Sequence, residues 1–88
     1  MKIEDLQDGQ MVTVRTARAG GADEEGPKWS DWYQAALGIQ RDPKGEIAIL
    51  TLGMRVWAEY APKHDYEGNG LFLCEDYYME IKGLDNDL

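Results

Sequence analysis

The chain has 88 residues, of which 43% are hydrophobic and 30% are charged, and its 17 acidic against 9 basic residues give a net charge of −8. A chain this short holds one domain with one small core, and its hydrophobic content excludes wholesale disorder. The negative charge disfavours direct nucleic-acid binding and attachment to anionic membranes, because both reward clustered Lys and Arg.

Cysteine content and hydropathy indicate in which cellular compartment the protein is found. Cys74 is the sole cysteine of the sequence, so an internal disulfide is excluded. The first residues, MKIEDLQDG, lack an apolar stretch of signal-peptide length. No window approaches the roughly 18 apolar residues of a membrane span. We therefore expect a cytoplasmic protein.

The first strand is predicted over Met11 to Thr16, after a turn at Asp8-Gly9. The alternation MVTVRT places Val12 and Val14 on one face, which is the period of a half-buried strand. The following segment, Ala17 to Lys28, is rich in Gly and acidic residues and is predicted to be a mobile surface loop.

A β-hairpin is predicted around Pro43, Lys44 and Gly45, which match a type I turn followed by a left-handed Gly. Counting outward from Asp42 opposite Glu46 sets the register, and side chains two apart then share a face. The predicted core face is Tyr33, Ala35, Leu37, Ile39, Ile47 and Ile49, with Ile39 opposite Ile49, Leu37 opposite Thr51 and Gln40 opposite Ala48. The predicted outer face is Trp32, Gln34, Ala36, Gly38 and Leu50.

Three further strand candidates follow, at 55–61, 71–74 and 77–82. In the first of them, Val56, Ala58 and Tyr60 alternate with Arg55, Trp57 and Glu59. Pro and Gly residues break every stretch long enough for a helix. The sequence therefore predicts a mainly all-β domain over residues 1–84, built as a small barrel or strongly curled antiparallel sheet of about five or six strands, with an acidic frayed tail at 85–88.

The order of these elements resembles SH3-like barrels. The segment LQDGQMVTVRT is similar to their first strand, and the loop from Ala17 to Lys28 takes the place of their long first loop. The compact acidic chain with a short tail also resembles small proteins encoded by phages and prophages. The resemblance implies a closed barrel with protected edges.

A segment from Asp65 to Asp76 resembles the calcium loop of EF-hands, whose oxygen ligands fall at alternate positions. The candidate ligands are Asp65, Glu67, Asn69 and Asp76. The fit departs at the third position, which carries Glu, and at the twelfth, which carries Asp instead of the bidentate Glu. A polar hairpin turn at Asn69-Gly70 is the favoured interpretation, and we expect no metal and no cofactor.

The sequence contains few side chains that could act together in catalysis. His64 beside Asp65 is typical of a general base held by a carboxylate and equally of an ordinary loop histidine. Cys74 lies within an apolar strand, where a cysteine is usually an unreactive core residue. We therefore expect no catalytic residues and a protein that is not an enzyme.

The aromatic residues carry the functional hypothesis. Trp32 and Tyr33 are adjacent in a strand, as are Tyr77 and Tyr78, so their rings point to opposite faces and some must lie outside the core. Exposed Trp and Tyr are typical of interface hot spots. We predict a protein-binding module, either homo-oligomeric or directed at a basic partner such as a host defence or nucleic-acid enzyme that a phage protein inhibits. The predicted contact residues are Trp29, Asp31, Trp32, Trp57, Glu59, Tyr66 and Tyr78.

An alternative is a protein that binds or sequesters a small nucleotide-like ligand. Trp32 would stack on the flat ring, and Arg15 or Arg55 would bind its anionic group. A small enzyme or a calcium-binding domain is the third possibility.

Overall fold

The computed structural model describes residues 1–19, 26–74 and 76–84. A short 3-10 helix spans Ile3–Asp5, and one turn of α-helix, α1, spans Pro62–Asp65. The strands in these ranges are β1 Met11–Arg18, β2 Tyr33–Arg41, β3 Ile47–Leu52, β4 Ala58–Tyr60, β5 Tyr66–Gly68, β6 Leu71–Leu73 and β7 Tyr77–Ile81. The predicted loop begins too early, because β1 continues through Ala17 and Arg18, and Ala17 is buried. Residues 20–25 of that loop and the predicted tail, 85–88, lie outside the described residues.

The strands form one antiparallel meander in the order β4-β3-β2-β1-β7-β6-β5. Consecutive strands are paired throughout except β4 and β5, which α1 joins, and β7 returns to pair with β1. Val14 of β1 lies opposite Tyr33 on one side and opposite Ile81 on the other. The all-β, barrel-like prediction is confirmed, with seven described strands instead of five or six.

Helix α1 joins the two edge strands, β4 and β5, and covers the seam between them. Pro62 lies in the first turn of α1, where a backbone N–H has no acceptor within the helix, so the N–H that proline lacks costs no hydrogen bond. Tyr60 of β4 donates its hydroxyl proton to the carbonyl oxygen of Tyr77 at 2.8 Å, and its ring lies 5.7 Å from that of Phe72. These contacts across the seam make the barrel nearly closed.

The core is apolar and continuous. Leu6, Val14, Ala35, Leu50, Leu52, Phe72 and Met79 are fully buried. The predicted inward residues Val12, Val14, Tyr33, Ala35 and Leu37 are all buried, and Tyr33 is 7% exposed whereas its neighbour Trp32 is 39% exposed. The division of this aromatic pair between core and surface is therefore confirmed.

The predicted register of the β2–β3 hairpin is wrong by one residue beyond its turn. Asp42 donates its N–H to Glu46 as the turn predicts, and Arg41 lies opposite Ile47, but Gln40 then lies opposite Ile49 and Ile39 opposite Leu50. A bulge at this point adds one residue to β3, and one extra residue exchanges the faces of all that follow. Leu50, predicted to face outward, is fully buried, whereas Ile49 and Ile39 are half-buried.

The strand predicted over 55–61 is shorter than expected. Arg55 adopts a φ of 71°, in the left-handed region that a strand excludes, so β4 contains only Ala58–Tyr60. Strand β5 and helix α1 were not predicted.

Candidate functional site

The most exposed large hydrophobic side chain in the described ranges is Trp57, at 69%. It belongs to the segment 53–57 between β3 and β4, which we call the Trp57 loop, and Met54 of the same loop is 48% exposed. The rings of most tryptophans are largely covered in a folded domain, so this exposure is unusual. The Trp57 loop is therefore the leading candidate for a contact surface.

Three contacts hold the Trp57 loop in one conformation. A Cβ atom added to Gly53 would lie 3.5 Å from Cε3 and Cζ3 of Trp57, so the indole ring packs directly over the Gly53 backbone. The guanidinium of Arg55 lies 4.2 Å from the centroid of the Tyr33 ring. The Tyr33 hydroxyl donates to the carbonyl oxygen of Met54 at 3.4 Å. The Trp57 ring is thus exposed to solvent on one side and packed against the backbone of Gly53 on the other.

The charges beside Trp57 have opposite signs. Arg55 precedes it by two residues and Glu59 follows it by two, and both are exposed. Glu59 is the central residue of β4 and lies opposite Thr51, while its neighbours Ala58 and Tyr60 point into the core. Trp57 and Glu59, both named from the sequence as contact residues, are therefore accessible to a partner.

Trp29 and Trp32 form a second aromatic group on the outer face of β1. The guanidinium of Arg15 lies 4.8 Å from the ring centroid of each, and the Lys82 ammonium lies 5.5 Å from that of Trp32. Arg15 also makes an ion pair with Glu80 at 2.6 Å. The cation between the two rings fixes the segment before β2 to the sheet, so we assign this group a structural role.

Ser30 reinforces the same attachment. Its Oγ accepts the Thr16 N–H at 3.1 Å, and its own N–H donates to the Thr16 carbonyl oxygen at 2.8 Å. Asp31 between the two tryptophans is exposed. Trp29 is half-buried by this packing, which leaves Trp32 as the more exposed ring of the pair.

The remaining predicted contact residues support the fold. The Tyr66 ring lies 4.6 Å from that of Phe72, and its hydroxyl accepts the Gly70 N–H at 3.1 Å. Tyr78 is half-buried in β7, opposite Ala17 and Leu73. The predicted set therefore divides between the Trp57 loop, the stack around Arg15, and residues that pack the sheet.

The residues of the alternative ligand site are already engaged with protein groups. Arg15 contacts Trp29, Trp32 and Glu80, whereas Arg55 contacts Tyr33. An anionic ligand at Arg15 would have to displace the Glu80 carboxylate. Every buried side-chain nitrogen or oxygen has a hydrogen-bond partner in the part of the chain that the structure describes, so no orphaned group there marks a ligand pocket.

The segment that resembles a calcium loop forms a hairpin. Asp65 accepts the Ala61 N–H at 2.8 Å, and Asn69 and Gly70, at φ 55° and 82°, turn the chain from β5 into β6. Glu67 is exposed on β5. Over residues 1–19, 26–74 and 76–84, no three His, Cys, Asp or Glu side chains converge to hold a metal ion. Asn69 and Gly70 therefore form the turn predicted from the sequence, while Asp65 bonds to Ala61 at the start of α1.

The residues considered for catalysis also have ordinary surroundings. His64 is exposed on α1. Cys74 is half-buried, and its Sγ lies 3.5 Å from the Tyr77 carbonyl oxygen as a thiol donor. Burial raises the pKa of the Tyr60 hydroxyl far above its usual range, which keeps this group protonated and structural.

Sequence reasoning missed a groove of about 590 Å³ near the beginning of β3. It is lined by Ile3, Glu4, Arg41, Lys44, Gly45, Glu46, Ile47, Pro62 and Lys63. Arg41 donates to the carbonyl oxygens of Leu6 and Gly45 at 2.7 and 2.8 Å, and Lys63 pairs with Glu46 at 3.0 Å. The groove is built from three separate segments, so no local sequence motif predicts it. Two of its cations, Arg41 and Lys63, bind groups of the same chain.

Comparisons with protein-family models, with curated proteins and with solved structures give no match for this chain. Among the described residues, no helix has the length and apolar character needed to cross a bilayer. Function is therefore inferred from the geometry of the exposed surface.

Proposed function

We propose that this domain is a non-enzymatic protein-binding module whose partner contacts the Trp57 loop. The observation that carries the proposal is that Trp57 is 69% exposed while its ring is held against Gly53. An exposed indole that is already fixed loses little conformational freedom on binding, so more of its burial energy appears as affinity.

The composition of the loop fits this role. Tryptophan is enriched among the residues that dominate protein interfaces, where its truncation costs about 2 kcal/mol or more. Met54 beside it offers a flexible apolar side chain that adapts to the shape of a partner. Arg55 and Glu59 supply the polar rim that surrounds such contacts.

Backbone strain in the Trp57 loop also supports a binding function. A non-glycine residue at φ 71° costs about 1 kcal/mol, and such residues concentrate at functional sites. Here the strained Arg55 lies between the two exposed apolar residues, Met54 and Trp57. The more specific hypothesis, a phage inhibitor of a host enzyme with a basic surface, remains a prediction.

The test is site-specific crosslinking in cells that naturally make the protein. A photoreactive phenylalanine analogue replaces Met54 in the Trp57 loop, and a matched variant carries it at Ala48, an exposed position at the opposite end of β3. We expect a protein adduct from position 54 that is absent from position 48 and that is lost when Trp57→Ala is added.

Two results would contradict the proposal. One is equal crosslinking from positions 54 and 48, which would show that the contacts at the loop are not selective. The other is the absence of any protein adduct at position 54, combined with calorimetric binding of a nucleotide that is lost in Arg55→Gln. That combination would establish the small-ligand alternative.

A further inference from the structure

We infer that the partner of the Trp57 loop is a second copy of this chain, bound about a two-fold axis that passes close to Trp57. The inference rests on the proposed function, since it names the occupant of the same surface. In a two-fold contact one patch meets itself, so a residue i that touches j is matched by j touching i.

The charges on either side of Trp57, one in the Trp57 loop and one in β4, make the patch complementary to a second copy of itself. Arg55 and Glu59 lie two residues before and two residues after Trp57, and all three are exposed. A two-fold axis close to Trp57 that brings Arg55 of each copy to Glu59 of the other joins the two patches with opposite charges in contact. The contact then contains two ion pairs around two tryptophans.

The apolar part of the patch suits the same arrangement. Met54 and Trp57 are two of the most exposed large hydrophobic residues in the described chain, at 48% and 69%. Ala58 and Tyr60, which alternate with Glu59, are buried in the core, so the contact requires no rearrangement of β4. A core this small is only marginally stable, and self-association is a common way to add stability.

Overall charge opposes this dimer, and local charge favours it. Two chains of net charge −8 repel one another, but this repulsion is screened beyond about 8 Å at physiological salt. Within that distance the balance of Arg55 and Glu59 decides the interaction. This difference between global and local charge provides the test.

Sedimentation equilibrium over a wide concentration range measures the dimerisation of the wild-type protein and of charge-reversed variants. Arg55→Glu and Glu59→Arg each convert both ion pairs into repulsive pairs, and we expect each to weaken dimerisation at least tenfold. The double variant Arg55→Glu/Glu59→Arg restores both pairs in reverse and should recover most of the affinity. Trp57→Ala should weaken dimerisation roughly 30-fold.

Matched controls separate local from global effects. Lys44→Glu, in the β2–β3 turn, changes the net charge as much as Arg55→Glu and should leave dimerisation nearly unchanged. Glu59→Arg reduces the net negative charge, so a purely global effect would strengthen association instead of weakening it. Thermal melting confirms that each variant is folded, since Arg55 also contacts Tyr33.

The outcomes are distinct from those of the crosslinking experiment. A wild-type protein that stays monomeric at the highest concentration overturns the dimer, while a selective heterologous adduct at position 54 would still support the proposed function. A wild-type dimer that the single charge reversals do not weaken, or that the double reversal does not restore, also overturns the inference.

Discussion

Replacing Gly70 by Ala should remove most of the stability of the domain. Gly70 has a φ of 82° in the β5–β6 turn and accepts the Ile81 N–H at 2.8 Å. A Cβ atom at this position would lie 2.1 Å from the carbonyl oxygen of Ile81, where ordinary contact begins near 3.4 Å. The turn must therefore move away from β7 by more than an ångström.

The expected loss of stability has three sources. The left-handed conformation costs an alanine about 1 kcal/mol, and the weakened bond to Ile81 costs about 1 kcal/mol more. Displacement of packed backbone adds about 1 to 3 kcal/mol. The total of about 3 to 5 kcal/mol is comparable to the whole free energy of unfolding of so small a core. We expect Gly70→Ala to be largely unfolded at 25 °C.

Urea denaturation, followed by tryptophan fluorescence and by far-ultraviolet circular dichroism, measures the effect. Gly83→Ala is the matched control, because Gly83 has a φ of 91° but no atom within 4 Å of the added Cβ. Its cost should be only that of the conformation, about 1 kcal/mol. If Gly70→Ala is no more destabilised than Gly83→Ala, the close approach of this turn to β7 is refuted.

Three further predictions concern the core, the aromatic stack and pH. Leu50→Ala should lower the free energy of unfolding by about 2 to 5 kcal/mol and Ile49→Ala by less than half as much; equal losses in guanidinium denaturation would refute the β3 bulge. Arg15→Gln should cost about 1 to 2 kcal/mol and shift tryptophan emission to longer wavelength, and an unchanged spectrum would contradict the stack. Because burial raises the pKa of Tyr60, its contribution to stability is complete below about pH 10 and is lost at higher pH, where the unfolded chain releases the proton first. Stability measured against pH should therefore decline above pH 10, and this decline should be smaller in Tyr60→Phe.

Most strands of the fold could be predicted from the pattern of apolar residues and from the turn residues between them. Period-two hydrophobicity predicts β1, the residues Pro43, Lys44 and Gly45 predict the β2–β3 turn, and short apolar segments bounded by turn residues predict β6 and β7. The β3 bulge was not readable, because Ala48 fits either face and both Ile49 and Leu50 are apolar. Only the requirement to bury Leu50, Leu52 and Leu37 together decides the register.

The candidate site was predictable in part. The sequence named Trp57 and Glu59 as contact residues, and both are exposed in the structure, although Trp57 precedes β4 instead of lying within a strand. The pairing of Arg15 with Trp29 and Trp32 was not visible, since these residues are far apart in the chain and meet only when β1 lies beside β2. For the same reason, Arg15 appeared in the sequence as a candidate ligand residue instead of a structural cation.

The central position of β1 has a consequence for synthesis on the ribosome. Four strands, β1 to β4, can assemble as soon as they emerge, yet the second hydrogen-bonding edge of β1 stays open until β7 has been translated. During that interval the nascent sheet presents a long unpaired edge that neighbouring chains can join. Rapid translation of the last third of the message would shorten the time for which this edge is open to other chains.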